Sequence, residues 1–148
     1  MPTILIDTNL LVYLYDNNAP DKQEQARQVL DRLDWRKTGC LSVQNLAEFL
    51  RVSTQKLKPP LTASQALEQV NLFIRMWPVF DLTPLVVLEA ARGARDYSLS
   101  YFDAQIWASA RLNQVPVIFS EDFSPGQTLE GVRFVNPFAP DFRLQDWS

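Results

Sequence analysis

The chain has 148 residues, a length typical of one domain that buries about two-thirds of its unfolded surface. Hydrophobic residues make up 47% and charged residues 21%, as in an ordinary globular protein. No apolar run approaches the roughly 20 residues that span a bilayer, and the first residues lack the pattern of a signal peptide. Cys40 is the single cysteine, so an internal disulfide is excluded and a reducing, cytoplasmic compartment is expected. From the length and the apolar runs we expect one domain over residues 1–148 and no membrane partner.

The sequence contains no histidine. Its absence excludes Ser-His-Asp and Cys-His sites, histidine general bases and histidine-bound zinc. Hydrolytic chemistry would have to rest on carboxylates, lysine, hydroxyls or a hard cation held by oxygen. The net charge of −3 argues against bulk binding of nucleic acid, but it leaves room for a local basic rim around an acidic site.

Short apolar runs alternate with helical patterns along the chain. Strands are predicted at residues 3–7, 39–42, 78–82, 115–119 and 132–135. Between them apolar residues recur at helical spacing, and helix-start signals stand at Pro20, Ser42, Thr62 and Thr83. This alternation predicts βαβ units and a parallel sheet covered on both faces. Three tryptophans on apolar stripes are expected in the core: Trp35, Trp77 and Trp107.

Four carboxylates are predicted to meet at one edge of this sheet. Asp7 ends the first strand, Glu48 lies in the helix after the second, Asp103 begins the helix before the fourth, and Asp122 follows the fourth. Right-handed crossovers bring these positions to the carboxyl edge, where open α/β sheets bind ligands. Crowded carboxylates repel one another unless a cation compensates, and Mg²⁺ or Mn²⁺ takes oxygen ligands. Such a cation can activate a water for phosphodiester hydrolysis.

Each acid also has a structural interpretation, and spacing alone leaves both interpretations open. Asp103 would complete a capping box with Ser100, and Asp7 would start a turn. Glu48 would be an exposed helix residue, and Asp122 would lie in a solvated turn. The coincidence of all four at one edge, in a chain without histidine, favours the functional interpretation.

Four segments resemble the acidic motifs of PIN-domain ribonucleases and follow the family's order: IDTN around Asp7, NLAEF around Glu48, SYFDA around Asp103 and SEDF around Asp122. Tail segments at 126–127, 131–133 and 136–138 resemble one branch of VapC-type toxins. The resemblance covers about residues 4–138. It implies an α/β fold, a PIN-like three-layer sandwich with a five-stranded parallel sheet in the order 3-2-1-4-5.

The same resemblance implies a function. It implies a Mg²⁺- or Mn²⁺-dependent endoribonuclease, the toxin of a toxin–antitoxin pair, that hydrolyses RNA. It further implies a homodimer and inhibition by a cognate antitoxin whose C-terminal segment covers the site.

Individual residue roles follow from the motifs. Asp7, Glu48 and Asp103 would be the main metal ligands, and Asp122 the fourth acid, directly or through water. The neighbouring Glu121 is an open alternative to Asp122. Two further side chains would steady the ligands by hydrogen bonds, as groups behind a metal site usually do: Asn9 and Ser120.

A second hypothesis belongs to another class, a catalytically silent PIN-like module that binds RNA or a partner protein. Four clustered acids argue against it, because a silent site has no physical need for them. Candidate contacts for RNA phosphates are Arg51, Lys56 and Lys58, which follow Glu48. Their alternative role is a solvated helix end whose positive charge favours the helix dipole.

Overall fold

The computed structural model describes residues 2–147. Its strands are β1 (Ile4–Ile6), β2 (Gly39–Ser42), β3 (Val79–Phe80), β4 (Val117–Phe119), β5 (Thr128–Leu129) and β6 (Val132–Val135). Its helices are α1 (Thr8–Tyr13), α2 (Pro20–Arg36), α3 (Val43–Gln55), α4 (Ala63–Met76), α5 (Pro84–Tyr97) and α6 (Tyr101–Leu112), followed by a 3-10 turn at Leu144–Trp147. None of the described helices is both long and apolar enough to cross a membrane.

The strands form one sheet in the order β3-β2-β1-β4-β6-β5. All neighbours are parallel except β5 and β6. The five predicted strands therefore occur in the predicted order, with β6 as the fifth. The prediction of five strands is nonetheless wrong within residues 2–147, because β5 adds an antiparallel edge strand. A two-residue turn at Glu130 and Gly131 connects β5 to β6, and both residues have positive φ, of 48° and 84°.

The sheet is covered on both faces, which gives the expected three layers. In β1, Ile4 and Ile6 join one core with apolar residues of α1, α2, α3 and α4. Leu5, which points the other way, joins a second core with residues of α5 and α6. Because both faces are apolar, the ends of the strands are the places where polar chemistry can be built.

The tryptophan predictions have different outcomes. Trp77 and Trp107 are buried, one in each core. The prediction for Trp35 is wrong, because 73% of its surface is exposed at the end of α2. The Arg36 guanidinium lies 5.0 Å from its ring centroid, so a cation–π contact replaces burial.

The predicted helix starts position the site. Ser42 is the last residue of β2 and caps α3 in a capping box with Asn45. Pro20, Thr62 and Thr83 begin α2, α4 and α5 as expected. At α6, Ser100 occupies the N-cap position, but its side chain makes no hydrogen bond to the helix backbone. The capping box considered as an alternative role for Asp103 is therefore not formed.

Candidate functional site

A cleft of about 470 Å³ opens at the carboxyl edge of the sheet. The four acidic residues predicted from the sequence all line it: Asp7, Glu48, Asp103 and Asp122. Asp7 is buried at the end of β1, and Asp122 follows the neighbouring strand β4. Glu48 on α3 and Asp103 at the start of α6 are half-buried. Parallel topology thus brings together acids that lie up to 115 residues apart in the sequence.

Both carboxylate oxygens of Asp7 are held by hydrogen bonds. The Thr8 backbone N–H donates to Oδ1 at 2.7 Å, and Asn45 Nδ2 donates to the same oxygen at 3.4 Å. The Ser120 hydroxyl donates to Oδ2 at 2.7 Å. Asp7 also occupies the N-cap of α1, so its backbone position is fixed by the strand-to-helix transition.

Glu48 is held by two different elements. The Thr8 hydroxyl of α1 donates to Oε2 at 3.1 Å, and the Gln44 amide of α3 donates to Oε1 at 2.9 Å. Both donors are buried. The carboxylate is therefore oriented by neutral groups rather than by a positive charge.

In the segment after β4, the adjacent acids Glu121 and Asp122 have different partners. Asn9 Nδ2 donates to Asp122 Oδ2 at 3.1 Å and to Ser120 Oγ at 3.2 Å, and the Asp122 backbone N–H donates to Ser120 Oγ at 3.0 Å. Glu121 instead forms an ion pair with Lys22 at 2.9 Å and accepts a hydrogen bond from the Tyr13 hydroxyl. Asp122 therefore faces the cleft, whereas Glu121 is engaged at its outer rim.

The electrostatics of the cleft are unfavourable without a partner. Within residues 2–147, none of the four acids takes part in an ion pair. Burial raises the pKa of Asp7 to about 7, against hydrogen bonds from Ser120 and Thr8 that lower it, and the charges of Asp122 and Glu48 add to the rise. Burial likewise raises the pKa of Asp103, against a side-chain hydrogen bond with Ser100 that lowers it, and the charges of Asp122 and Glu48 add to the rise.

The donor set suits a hard divalent cation. All four acids offer oxygen, and Asn9 Oδ1 is a buried oxygen without a hydrogen-bond partner. In the described part of the chain, however, no three acidic or cysteine side chains already stand close enough together to hold a metal ion. Binding would therefore require the carboxylates to close in on the cation.

The three basic residues predicted near the site do not share one location. Lys56 and Lys58 line the same cleft as the acids, and Asn18 Nδ2 donates to the Lys58 carbonyl at 2.8 Å. Arg51 does not line the cleft; it borders an adjoining groove of about 280 Å³, whose lining includes Phe102 and shares Gln44 and Glu48 with the cleft. Of the three, the two lysines line the cleft itself.

Sequence reasoning missed two polar side chains that contact Glu48. Thr8 lies inside the quoted IDTN motif, between two residues to which roles were given. Gln44 precedes Glu48 by four residues, and this spacing places both side chains on one face of α3. That i,i+4 relation is a signal that could have identified Gln44 from the sequence.

Fold and site together define a three-layer α/β protein with an acidic cleft at the carboxyl edge of its sheet. The family model for the PIN domain matches residues 4–124. The chain belongs to the PIN domain family. No curated protein sequence matches the chain.

Solved structures of toxins share this fold. A toxin–antitoxin complex from Klebsiella pneumoniae is similar with a TM-score of 0.68 at 17% identity, over 92% of this chain and 98% of that chain. The structure of DNA-bound VapBC from Salmonella typhimurium is similar with a TM-score of 0.66 at 19% identity, over 93% of this chain and 99% of that chain. VapC20 from Mycobacterium tuberculosis, a Sarcin-Ricin loop cleaving toxin, is similar with a TM-score of 0.62 at 21% identity, over 88% of this chain and 99% of that chain. At these identities the likeness establishes the fold.

Proposed function

We propose that the protein is a Mg²⁺- or Mn²⁺-dependent endoribonuclease that acts in the cytoplasm as the toxin of a toxin–antitoxin pair. The observation that carries this proposal is the group of four carboxylates in one cleft, none of which has an ion-pair partner among residues 2–147. Such a group costs free energy in the folded chain, and a bound divalent cation would offset that cost and attract an RNA phosphate. Membership of the PIN family and the toxin structures that share the fold support it.

Roles are proposed for each polar group in the cleft. A divalent cation, when bound, would supply Lewis acidity and offset the negative charge that develops on the scissile phosphate. Asp7, Glu48 and Asp103 would hold it, and Asp122 would contribute directly or through water. Asn9 and Ser120 would orient Asp122 and Asp7 through the hydrogen bonds described above.

The remaining roles concern the substrate. Lys56 and Lys58 would contact phosphates of the RNA on either side of the cut, because they are the basic residues that line the cleft. Attack by the 2′-hydroxyl is usually run by histidine pairs, which this chain lacks. We therefore expect hydrolysis that leaves 5′-phosphate and 3′-hydroxyl ends.

Cleavage of structured RNA by the purified protein tests the proposal. Activity should require Mg²⁺ or Mn²⁺ and stop in excess chelator, and sequencing of the ends should find 5′-phosphates. Undiminished cleavage in chelator would contradict the carboxylate–metal mechanism. Ends that carry 2′,3′-cyclic phosphate would contradict the proposed hydrolysis even if RNA is cut.

The toxin role has its own test in cells. Induced expression should arrest growth, co-expression of the cognate antitoxin should relieve the arrest, and Asp7→Asn should not arrest growth. An Asp7→Asn protein that arrests growth as strongly as the parent would favour the silent binding module. We also propose a homodimer, which light scattering on the purified protein checks by its mass.

A further inference from the structure

A chain of side-chain hydrogen bonds joins α3 to α6 behind the acids. The Tyr101 hydroxyl donates to Gln105 Oε1 at 2.9 Å, and Gln105 Nε2 donates to Gln44 Oε1 at 2.8 Å. Gln44 Nε2 then donates to Glu48 Oε1 at 2.9 Å and to the Phe102 carbonyl at 3.0 Å. The chain therefore runs from the surface at Tyr101 to one of the cleft carboxylates.

Both glutamines in this chain are buried. Gln44 is 7% exposed and Gln105 is 4% exposed. Burial of an amide costs free energy unless its hydrogen bonds are made, so these two residues are an unusual choice for the interior. Every polar atom of Gln44 is used, because its oxygen accepts one bond and its nitrogen donates two.

The acceptors fix the direction of the chain. The carboxylate of Glu48, when ionised, and the carbonyl of Phe102 can only accept, so the nitrogen of Gln44 must point towards them. Its oxygen then faces Gln105, which must present its nitrogen and turn its own oxygen to Tyr101. Each amide thus has one orientation that satisfies its neighbours, and the orientation of Glu48 depends on both.

The contacts of Gln44 join the two helices that carry cleft acids. Its amide binds Glu48 on its own helix and the carbonyl of Phe102, the residue immediately before Asp103 on α6. Gln105, two residues after Asp103, provides the second attachment to α6. Gln44 and Gln105 therefore link the start of α6 by hydrogen bonds to the second turn of α3, where Glu48 lies.

We propose that Gln44 and Gln105 form an amide clamp that orients Glu48 and sets its spacing from Asp103. Both are positioning residues, since they act on a bound cation through the carboxylates. The inference rests on the proposed metal-dependent function. Residues that orient metal ligands in this way typically change metal affinity by 10–100-fold when they are replaced.

The decisive variant is Gln105→Met, which removes both hydrogen bonds of Gln105 but keeps an unbranched side chain of similar length. Gln105 contacts none of the four acids directly. Calorimetric titration of the metal-free variant with Mn²⁺ should find about tenfold weaker binding than in the wild type. Gln44→Met should weaken binding further, because it releases Glu48 directly, and Tyr101→Phe should weaken it least.

The matched control is Gln69→Met. Gln69 on α4 also accepts a hydrogen bond from a tyrosine hydroxyl, that of Tyr15, but it does not line the cleft. Its loss should leave Mn²⁺ affinity unchanged. Urea unfolding of both variants separates a general loss of stability from an effect on the site.

RNA cleavage gives a second readout of the clamp. In Gln105→Met the loss of kcat should be restored by excess Mn²⁺ while KM for RNA stays unchanged. Wild-type Mn²⁺ affinity in Gln105→Met, or equal losses in Gln105→Met and Gln69→Met, would overturn the clamp while the proposed function stands. Failure of the wild type to bind Mn²⁺ would overturn the metal site and the clamp together.

Discussion

Helix α6 has an acidic cluster near each end, and the two clusters are built differently. At its start, Asp103 shares the cleft with the other three acids, and none of the four forms an ion pair among residues 2–147. Near its end, Arg111 joins a second cluster in which Glu89 and Glu130 lie between Arg92 and Arg111. Arg92 approaches Glu89 at 2.6 Å and Glu130 at 2.9 Å.

The pKa values of Glu89 and Glu130 in the paired cluster and of Asp7 and Asp103 in the cleft shift in opposite directions. Hydrogen bonds from Arg92 lower the pKa of Glu89, and those from Tyr97 and Arg92 lower the pKa of Glu130. Burial raises the pKa of Asp7 and Asp103 instead. The paired acids therefore stabilise the fold in their ionised form, whereas Asp7 and Asp103 destabilise it when ionised. An acidic cluster that costs stability needs a functional reason, and one that is paired with arginine does not.

The largest expected effect is that of Asp7→Asn. The variant should lose RNA cleavage by about a hundredfold or more, because a proposed metal ligand is gone. Its stability without metal should equal or exceed that of the wild type, since a buried charge is removed. Cleavage assays and urea unfolding on the same preparations check both halves.

Asp16→Asn is the matched control for this substitution, because Asp16 lines the same cleft but is not a proposed metal ligand. It should leave cleavage close to the wild-type rate. Asp103→Asn should behave like Asp7→Asn. A clear loss of stability with retained activity in Asp103→Asn would instead assign that residue a structural role.

The second prediction is a dependence of stability on pH in the metal-free protein. The pKa of Asp7 is about 7 in the folded chain against an ordinary value of 3.8 for an aspartate, so the folded state holds the proton more tightly. Stability from this group is present below about pH 4 and is lost as the pH rises through about 7. With about 1.4 kcal/mol for each pKa unit, the loss is at most about 4 kcal/mol.

Urea unfolding in chelator at pH 5 and pH 8 measures this loss. The free energy of unfolding of Asp7→Asn should exceed that of the wild type by more at pH 8 than at pH 5. Addition of Mn²⁺ at pH 8 should raise the unfolding midpoint of the wild type but not of the variant. A difference between the two proteins that does not change with pH would contradict the assigned role of Asp7.

Much of the fold and the position of the acidic cleft could be predicted from the sequence. Apolar strands at β1 and β4, with Asp7 and Asp122 just beyond them, place two acids side by side in any parallel sheet that pairs these strands. The helix starts at Ser42 and Thr83 carry local signals that the structure confirms. Local patterns and strand topology were sufficient for these features.

The remaining features depend on contacts between distant segments. Lys22 on α2 and Tyr13 on α1 engage Glu121, and nothing in the SED segment indicates these partners. The β5–β6 turn begins with Glu130 in a left-handed conformation, where asparagine or glycine would be the usual signal. Glu130 is also an acceptor for Arg92 in the paired cluster, which indicates why a less suitable turn residue stands there.

The third prediction concerns the paired cluster, where a substitution should lower stability and leave cleavage unchanged, the reverse of the effects expected for Asp7→Asn. Glu89→Gln removes the charge that faces Arg92 and Arg111, so it should lower the free energy of unfolding by about 1 kcal/mol. RNA cleavage should be unchanged, because Glu89 does not line the cleft. Urea unfolding at low and high salt measures the effect, which should shrink as salt screens the charges. Unchanged stability would show that the cluster is not a source of stability.

The smallest effect on RNA cleavage is expected for the two lysines that line the cleft, Lys56 and Lys58. Replacement of Lys56 and Lys58 by alanine should raise KM for RNA several-fold and leave kcat unchanged, because phosphate contacts contribute uniform binding. The salt dependence of RNA binding should also become less steep, by about one unit of slope for each lost contact. Arg51→Ala is the matched control, since Arg51 borders the adjoining groove rather than the cleft and should leave KM unchanged. If Arg51→Ala raised KM more than the double lysine variant, the RNA would follow that groove instead, and the two lysines would be only a solvated helix end.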